Sequence, residues 1–220
     1  MQATYVQRLR LTFTKTGPTR FIGHLDLALT LERALNRAKI PMDYSHGFNR
    51  RPRMQLAAAL PLGFTSAYEL ADIWLREVME PADLQARLMA KMAPGIEILQ
   101  VEEVPLKAPA LQTITIASTY VVTVLDPVDM DELQEKVTAM LAAESLMRER
   151  GKGRKRKAYD LRPLIHHLAL SQNEEGLPQL DMTLSLQPGA AGRPDEVVAE
   201  LGLDPLAARV HRTHILLQED

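Results

Sequence analysis

Histidines and cations are the side chains with chemistry to offer, because the 220-residue chain contains no cysteine. Without thiols there are no disulfides, no thiolate zinc sites and no cysteine-held iron–sulfur cluster. Phosphate-loop and dinucleotide fingerprints are absent too. Neither a cofactor nor a metal is expected. Of the six histidines, His24 stands out, in Arg20-Phe21-Ile22-Gly23-His24-Leu25-Asp26 at the start of a helical pattern. At about 100° per residue it falls on the apolar face with Leu31 and Leu35. The positive end of a helix favours the neutral ring that a general base needs. The competing expectation is a histidine satisfied at the mouth of the core. His46 sits beside Tyr44 in an arginine-bearing loop, placed to donate to a phosphate or stack on a base. His166-His167 and the pair His211 and His214 each point to opposite faces of a strand, so neither makes a two-ligand clamp. Glu69 and Asp72 beside Trp74 read as a solvated strand face rather than an acid/base pair.

The cations say more. Residues 8–53 carry Arg8, Arg10, Lys15, Arg20, Arg50, Arg51 and Arg53 among others, with only Asp26, Glu32 and Asp43 against them. Residues 148–162 carry Arg148, Arg150, Lys152, Arg154, Lys155, Arg156, Lys157 and Arg162 against Glu149 and Asp160. Since the formal net charge is −2, the rest of the chain is strongly acidic, and such segregation creates a field that attracts polyanions. Gly151 and Gly153 interleave with the cations of 148–157, predicting a mobile basic arm or hairpin. Neutralising phosphates releases counterions, which makes such segments effective, sequence-blind anchors. Tyr44, Phe48 and Tyr159 add stacking surfaces. The predicted RNA contacts are therefore Arg8, Arg10, Lys15, Arg20, Tyr44, His46, Phe48, Asn49, Arg50, Arg51, Arg53, Lys152, Arg154, Lys155, Arg156, Lys157, Tyr159 and Arg162. Solvated loops, or a contact patch for an acidic protein, are the alternatives.

The elements that must position these residues follow from hydropathy period. Tyr5–Thr14 alternates as a strand with one apolar and one basic face. Phe21–Lys39 has helical spacing and stops at Pro41. Met42–Ser45, Met54–Leu60 and Glu69–Glu77 read as extended, Pro81–Met92 as a helix and Ile96–Val104 as a strand. After Pro105-Leu106-Lys107-Ala108-Pro109 the same order recurs: strand Thr119–Leu125, helix Asp129–Ala143, a basic arm and strand to Ser171, strand Gln179–Gln187, helix Arg193–Gly202 and strand Arg209–Gln218. The expected class is α+β, two tandem ferredoxin-like βαββαβ halves with antiparallel sheets. The halves span 1–104 and 119–220, with a linker over 105–118. Met1–Tyr5 leads straight into the first strand pattern, so no signal peptide is expected. No run approaches the length of a membrane span. A soluble, cytoplasmic protein is the expectation.

One set of motifs resembles a known family. Residues Phe13 to Asp26, then Glu32-Arg33-Ala34, Tyr44-Ser45-His46-Gly47-Phe48-Asn49, Leu60-Pro61-Leu62-Gly63 and Asp160-Leu161-Arg162-Pro163-Leu164-Ile165 look like the bacterial radical-SAM-linked family of unknown function. The resemblance covers nearly the whole chain. It implies a radical SAM enzyme as partner, encoded beside or fused to such proteins, supplying the cluster that a cysteine-free chain cannot hold. Two departures stand out. Gly23 replaces the family's usual serine before His24. Arg50-Arg51-Pro52 replaces its Pro-His-Pro, removing a histidine and adding charge, which favours phosphate binding in that loop. A more distant architectural similarity is to the CRISPR repeat-processing endoribonucleases, which implies metal-independent RNA cleavage with His24 as its candidate; their glycine-rich loop is missing here. The leading expectation is a binder of structured RNA, tRNA or rRNA, that assists a radical SAM modification enzyme. RNA cleavage by His24 and a protein-only adaptor are the alternatives.

Overall fold

A computed structural model describes residues 5–46, 50–151 and 156–218. The chain divides into two compact units, Met1–Thr115 and Ile116–Glu219.

The first unit runs β1 (Gln7–Lys15), α1 (His24–Arg37), β2 (Met54–Leu56), β3 (Thr65–Leu75), α2 (Pro81–Met89) and β4 (Ile98–Val104). The strands lie in the order β4-β1-β3-β2, and every neighbouring pair is antiparallel. Leu9, Leu11 and Phe13 of β1 pack with Leu27, Leu31 and Leu35 of α1, Ile73 and Leu75 of β3, and Leu84 and Leu88 of α2. These α1 leucines recur at the spacing that lines one helical face. The helix starts at His24 rather than Phe21, because Pro18 sets up a 3-10 turn over Gly17–Phe21. It ends at Arg37, and Lys39 takes a left-handed φ of 54° beyond it. Gly95, at φ 90°, closes the approach to β4. A Cβ there would lie 2.3 Å from the Thr16 carbonyl oxygen, so no side chain fits.

The expected basic face of β1 is not open to solvent. Arg8 and Arg10 are buried, and Asp72 opposite them is fully buried. Arg8 donates to Asp72 Oδ2 through Nε (3.0 Å) and Nη2 (2.5 Å), and Arg10 Nε donates to Asp72 Oδ1 at 2.8 Å. Arg8 also donates to the carbonyls of Ala108 (2.6 Å) and Pro109 (2.8 Å), so part of the expected linker packs within the first unit. Lys15 is buried too, donating to the Phe64 carbonyl at 2.9 Å. Glu69 and Asp72 are likewise internal rather than solvated. Buried charge persists only when paired and hydrogen-bonded, so Arg8, Arg10 and Asp72 are committed to one another.

The second unit runs β5 (Thr115–Val124), α3 (Met130–Ala142), β6 (Met147–Arg150), β7 (Lys157–Asp160), β8 (Ile165–Gln172), β9 (Pro178–Gln187), β10 (Ala190–Ala191), α4 (Pro194–Glu200) and β11 (Ala208–Leu217). Asp129 caps α3 by accepting from the Asp131 and Glu132 amides, relieving two orphan donors. Its main strands lie in the order β11-β5-β9-β8, with β10 paired to the end of β9. Counting strand, helix, two strands, helix, strand, this is the lateral order of the first unit. The antiparallel hairpin β6–β7 stands between α3 and β8 as an addition. The protein is thus a mixed α+β chain, built on mostly antiparallel strands and four helices.

Candidate functional site

Within the first unit, α1, the segment before β2, β2 itself and β3 wall a cleft of ≈ 570 Å³. Its lining includes His24, Ala28 and Glu32 from α1, Arg51 to Leu56, Trp74 from β3, and Gln112. His24, Ala28 and Glu32 recur every four residues, so one stripe of the helix supplies that wall. Arg51 is held by two bonds with Ser45: the Ser45 amide donates to the Arg51 carbonyl at 2.9 Å, and the Arg51 amide donates to Ser45 Oγ at 3.1 Å. Its side chain is exposed and makes no ion pair among the described residues. Arg53 Nε pairs with the buried Asp43 at 3.1 Å, while its guanidinium stacks 5.0 Å from the Tyr5 ring. It is more than one third exposed, so it keeps donors for a ligand. Trp74 is half-buried, packed at 4.9 Å beneath the Arg8 guanidinium and at 6.4 Å edge-on to Tyr5.

Two amides complete the wall. Gln55 Oε1 accepts from the Leu111 amide at 3.1 Å, and Gln112 Nε2 donates to the Leu56 carbonyl at 3.0 Å. The cleft therefore combines a guanidinium with no ion pair among the described residues, a second partly exposed one, an indole, an imidazole and two oriented amides. Such a set suits a ligand with anionic groups and a flat polar ring system.

The predicted contacts divide into those the cleft collects and those it does not. Arg51 and Arg53 lie on it, and so does His24, the candidate catalytic residue. Arg50 and His46, on the same loop, are exposed. Arg20 is exposed and stacks 4.5 Å over Phe21. Tyr44 is half-buried and donates its hydroxyl to Asn36 Oδ1 at 2.9 Å; its backbone bridges Pro52 of the cleft, but Tyr44 is not itself a lining residue. Phe48, Asn49, Lys152, Arg154 and Lys155 lie outside the described residues. Arg8, Arg10 and Lys15 are internal, as described above.

The basic arm is a hairpin with most of its described arginines already engaged. Arg148 pairs with Glu200, Arg150 with Glu196 and Arg156 with Glu149. Glu196 holds the Arg150 guanidinium above its ordinary pKa, chiefly through their hydrogen bond. Tyr159 lies 4.5 Å from Arg150, its phenol pushed up by burial and by Glu196. Arg162 donates to the Leu141 and Ile165 carbonyls and serves the local backbone. Lys157 alone of the predicted cations on the described hairpin is exposed with no ion pair among the described residues.

A second cleft of ≈ 320 Å³, in the second unit, is lined by Asp126, Asp129, Glu132 and Asp204 around Lys136. Asp129 and Asp204 are cap residues and Glu132 pairs with Lys136 at 2.7 Å, so three of its four acids serve the local structure, and its net negative field repels phosphate.

Sequence reasoning missed Trp74, Gln55 and Gln112. Trp74 carried a signal, being the only tryptophan in the chain, standing in β3 opposite Arg8 of β1.

Residues 8–194 match the model of a bacterial family described as "Uncharacterized protein conserved in bacteria (DUF2344)". The chain belongs to this family. No curated protein matches it. Among solved structures, a chain from "Crystal Structure of a Cbf5-Nop10-Gar1 Complex" is similar in fold, with a TM-score of 0.53 at 10% sequence identity. That match covers 96% of this chain and 50% of the other, so this DUF2344 member spans half the length of its structural neighbour. At such identity the likeness concerns the fold alone.

Proposed function

We propose that this DUF2344 protein binds RNA through the His24–Trp74 cleft and assists a radical SAM enzyme in tRNA or rRNA modification, on a scaffold of two tandem ferredoxin-like halves. The single observation that carries the RNA reading is the convergence of Arg51, Arg53 and Trp74 on one cleft. Cations beside a stacking surface are how proteins hold single nucleotides within a charged chain. The shared lateral strand order of the two units supports the ferredoxin-like reading.

The radical SAM partner is inferred from the motif resemblance and the lack of cysteine. A cluster of exposed apolar side chains supports a protein partner as well. Phe21, Leu25 and Leu62 are each more than 60% exposed, and Leu29 continues the Leu25 stripe one helical turn on. The Gly63 amide donates to the Arg20 carbonyl at 2.8 Å, which joins the chain segments that carry Leu62 and Phe21. Exposed apolar patches of this kind mark protein contacts.

Filter binding of tRNA across a salt series tests the RNA reading. Affinity should fall steeply as salt rises; negligible affinity at low salt, or indifference to salt, sinks it. Co-purification with a radical SAM protein encoded nearby, after nuclease treatment, tests the partner. Capture should persist and be lost on Leu25→Asp; no capture by the unaltered protein rejects the partnership.

A second reading, RNA cleavage by His24, draws on the place of that imidazole in the wall of the same cleft. RNA incubated with the protein in chelator decides it. Cleavage that vanishes with His24→Ala supports the reading, and intact RNA removes it.

A further inference from the structure

We propose that the cleft reads the Watson–Crick edge of an unpaired base through Gln55 and Gln112, and so selects single-stranded segments of RNA; this rests on the RNA-binding reading above. An amide is informative only when its oxygen and nitrogen can be told apart, and here backbone groups decide both. Gln55 Oε1 accepts from the Leu111 N–H, which turns its Nε2 the other way. Gln112 Nε2 donates to the Leu56 carbonyl, which turns its Oε1 the other way. The two freed atoms meet each other: Gln55 Nε2 stands 3.5 Å from Gln112 Oε1.

That separation is at the outer limit of a hydrogen bond, so the contact is weak. An amide NH₂ has two donors and an amide oxygen two lone pairs, so both atoms retain capacity. The cleft thus presents a donor beside an acceptor. Every nucleobase carries the complementary pair, an acceptor beside a donor, on the edge it uses for base pairing. In a duplex that edge is occupied; in a loop, bulge or end it is free, which is where sequence-reading RNA proteins act. The neighbours suit the rest of a nucleotide. Trp74 offers a ring for the base, and Arg51 a guanidinium for its phosphate. Phosphate contacts carry no base information and the Trp74 ring accepts any unpaired base, so the amide pair is where the base edge itself is read.

The experiment compares one RNA strand containing all four bases with the same strand annealed to its complement, by anisotropy at fixed salt. The unaltered protein should prefer the single strand by about tenfold, the discrimination expected of one good two-point contact. Gln55→Glu keeps the acceptor for the Leu111 N–H but replaces the inward donor by an acceptor. Gln55→Glu and Gln112→Met should each lower that preference several-fold while salt dependence persists. Equal affinity for both forms, or a preference unchanged in both variants, overturns the inference and leaves RNA binding standing. Absence of salt-dependent binding to either form overturns the RNA-binding reading, and this inference with it. Should a variant fail to fold, footprinting of the unaltered complex decides instead. Dimethyl sulfate and carbodiimide between them modify free Watson–Crick edges of all four bases. Protection of unpaired bases is expected, and none contradicts the proposal.

Discussion

Asp72 of β3 and Arg10 of β1 face each other in antiparallel register, with the arginine Nε 2.8 Å from the buried carboxylate. Arg8 shares the same carboxylate, so one acid answers two cations. Removing it leaves two buried guanidiniums unpaired, at a cost of about 3–5 kcal/mol. Asp72→Asn should therefore lower the denaturation midpoint sharply, whereas Arg10→Met, which leaves the Arg8 pair intact, should cost less. A smaller loss for Asp72→Asn than for Arg10→Met in urea titration goes against this arrangement.

Trp74 supplies the ring of the cleft, and base stacking on an aromatic side chain is worth roughly 1–3 kcal/mol. Trp74→Ala should weaken RNA binding by that amount and Trp74→Phe by less, with the salt slope unchanged in both. A changed slope with unchanged affinity would place the indole outside the contact. Circular dichroism on each variant separates this from loss of fold, since Trp74 also packs beneath Arg8.

Gly95→Ala sets a Cβ against the Thr16 carbonyl in a left-handed backbone conformation. Both terms act in the same direction. Loss of more than about 2 kcal/mol is expected, where Gly176→Ala, with open space around it, should lose only the backbone term. Equal losses at the two positions argue against the close approach.

Burial pushes the half-buried His211 imidazole below its ordinary value of 6.5. The unfolded chain then takes up this proton before the folded one does, so stability contributed here is complete above pH 6.5 and falls as pH drops below it. His211→Gln should flatten the fall in melting temperature on the acid side of that value. A slope identical to that of the unaltered protein counts against the burial effect.

Much of the fold was legible because its period is local. The α1 leucines and the alternation of β5 and β9 each announce an element within a dozen residues. The fate of the basic face of β1 was not. Alternation separates polar from apolar positions, yet it cannot tell a face turned to water from one satisfied by an acid far along the chain, and Asp72 is 62 residues from Arg10. The same blindness affected the hairpin, where Arg148 and Arg150 find Glu200 and Glu196 only once α4 is in place. At the cleft, Arg51, Arg53 and His24 were visible by type. Gln55 and Gln112 were not, because each amide acquires its meaning from a backbone partner 56 residues away.

The most direct measurement of RNA binding at this cleft is the salt dependence of affinity for single-stranded RNA, with and without the two arginines. Each phosphate contact removed should lower the slope of log affinity against log salt by about 0.7 on a single strand. Arg51→Ala should therefore reduce both affinity and slope, Arg51→Ala/Arg53→Ala should reduce them further, and Lys157→Ala on the hairpin of the second unit should do less than either. Binding that tracks Lys157 while ignoring Arg51 and Arg53 would contradict the cleft as the RNA site.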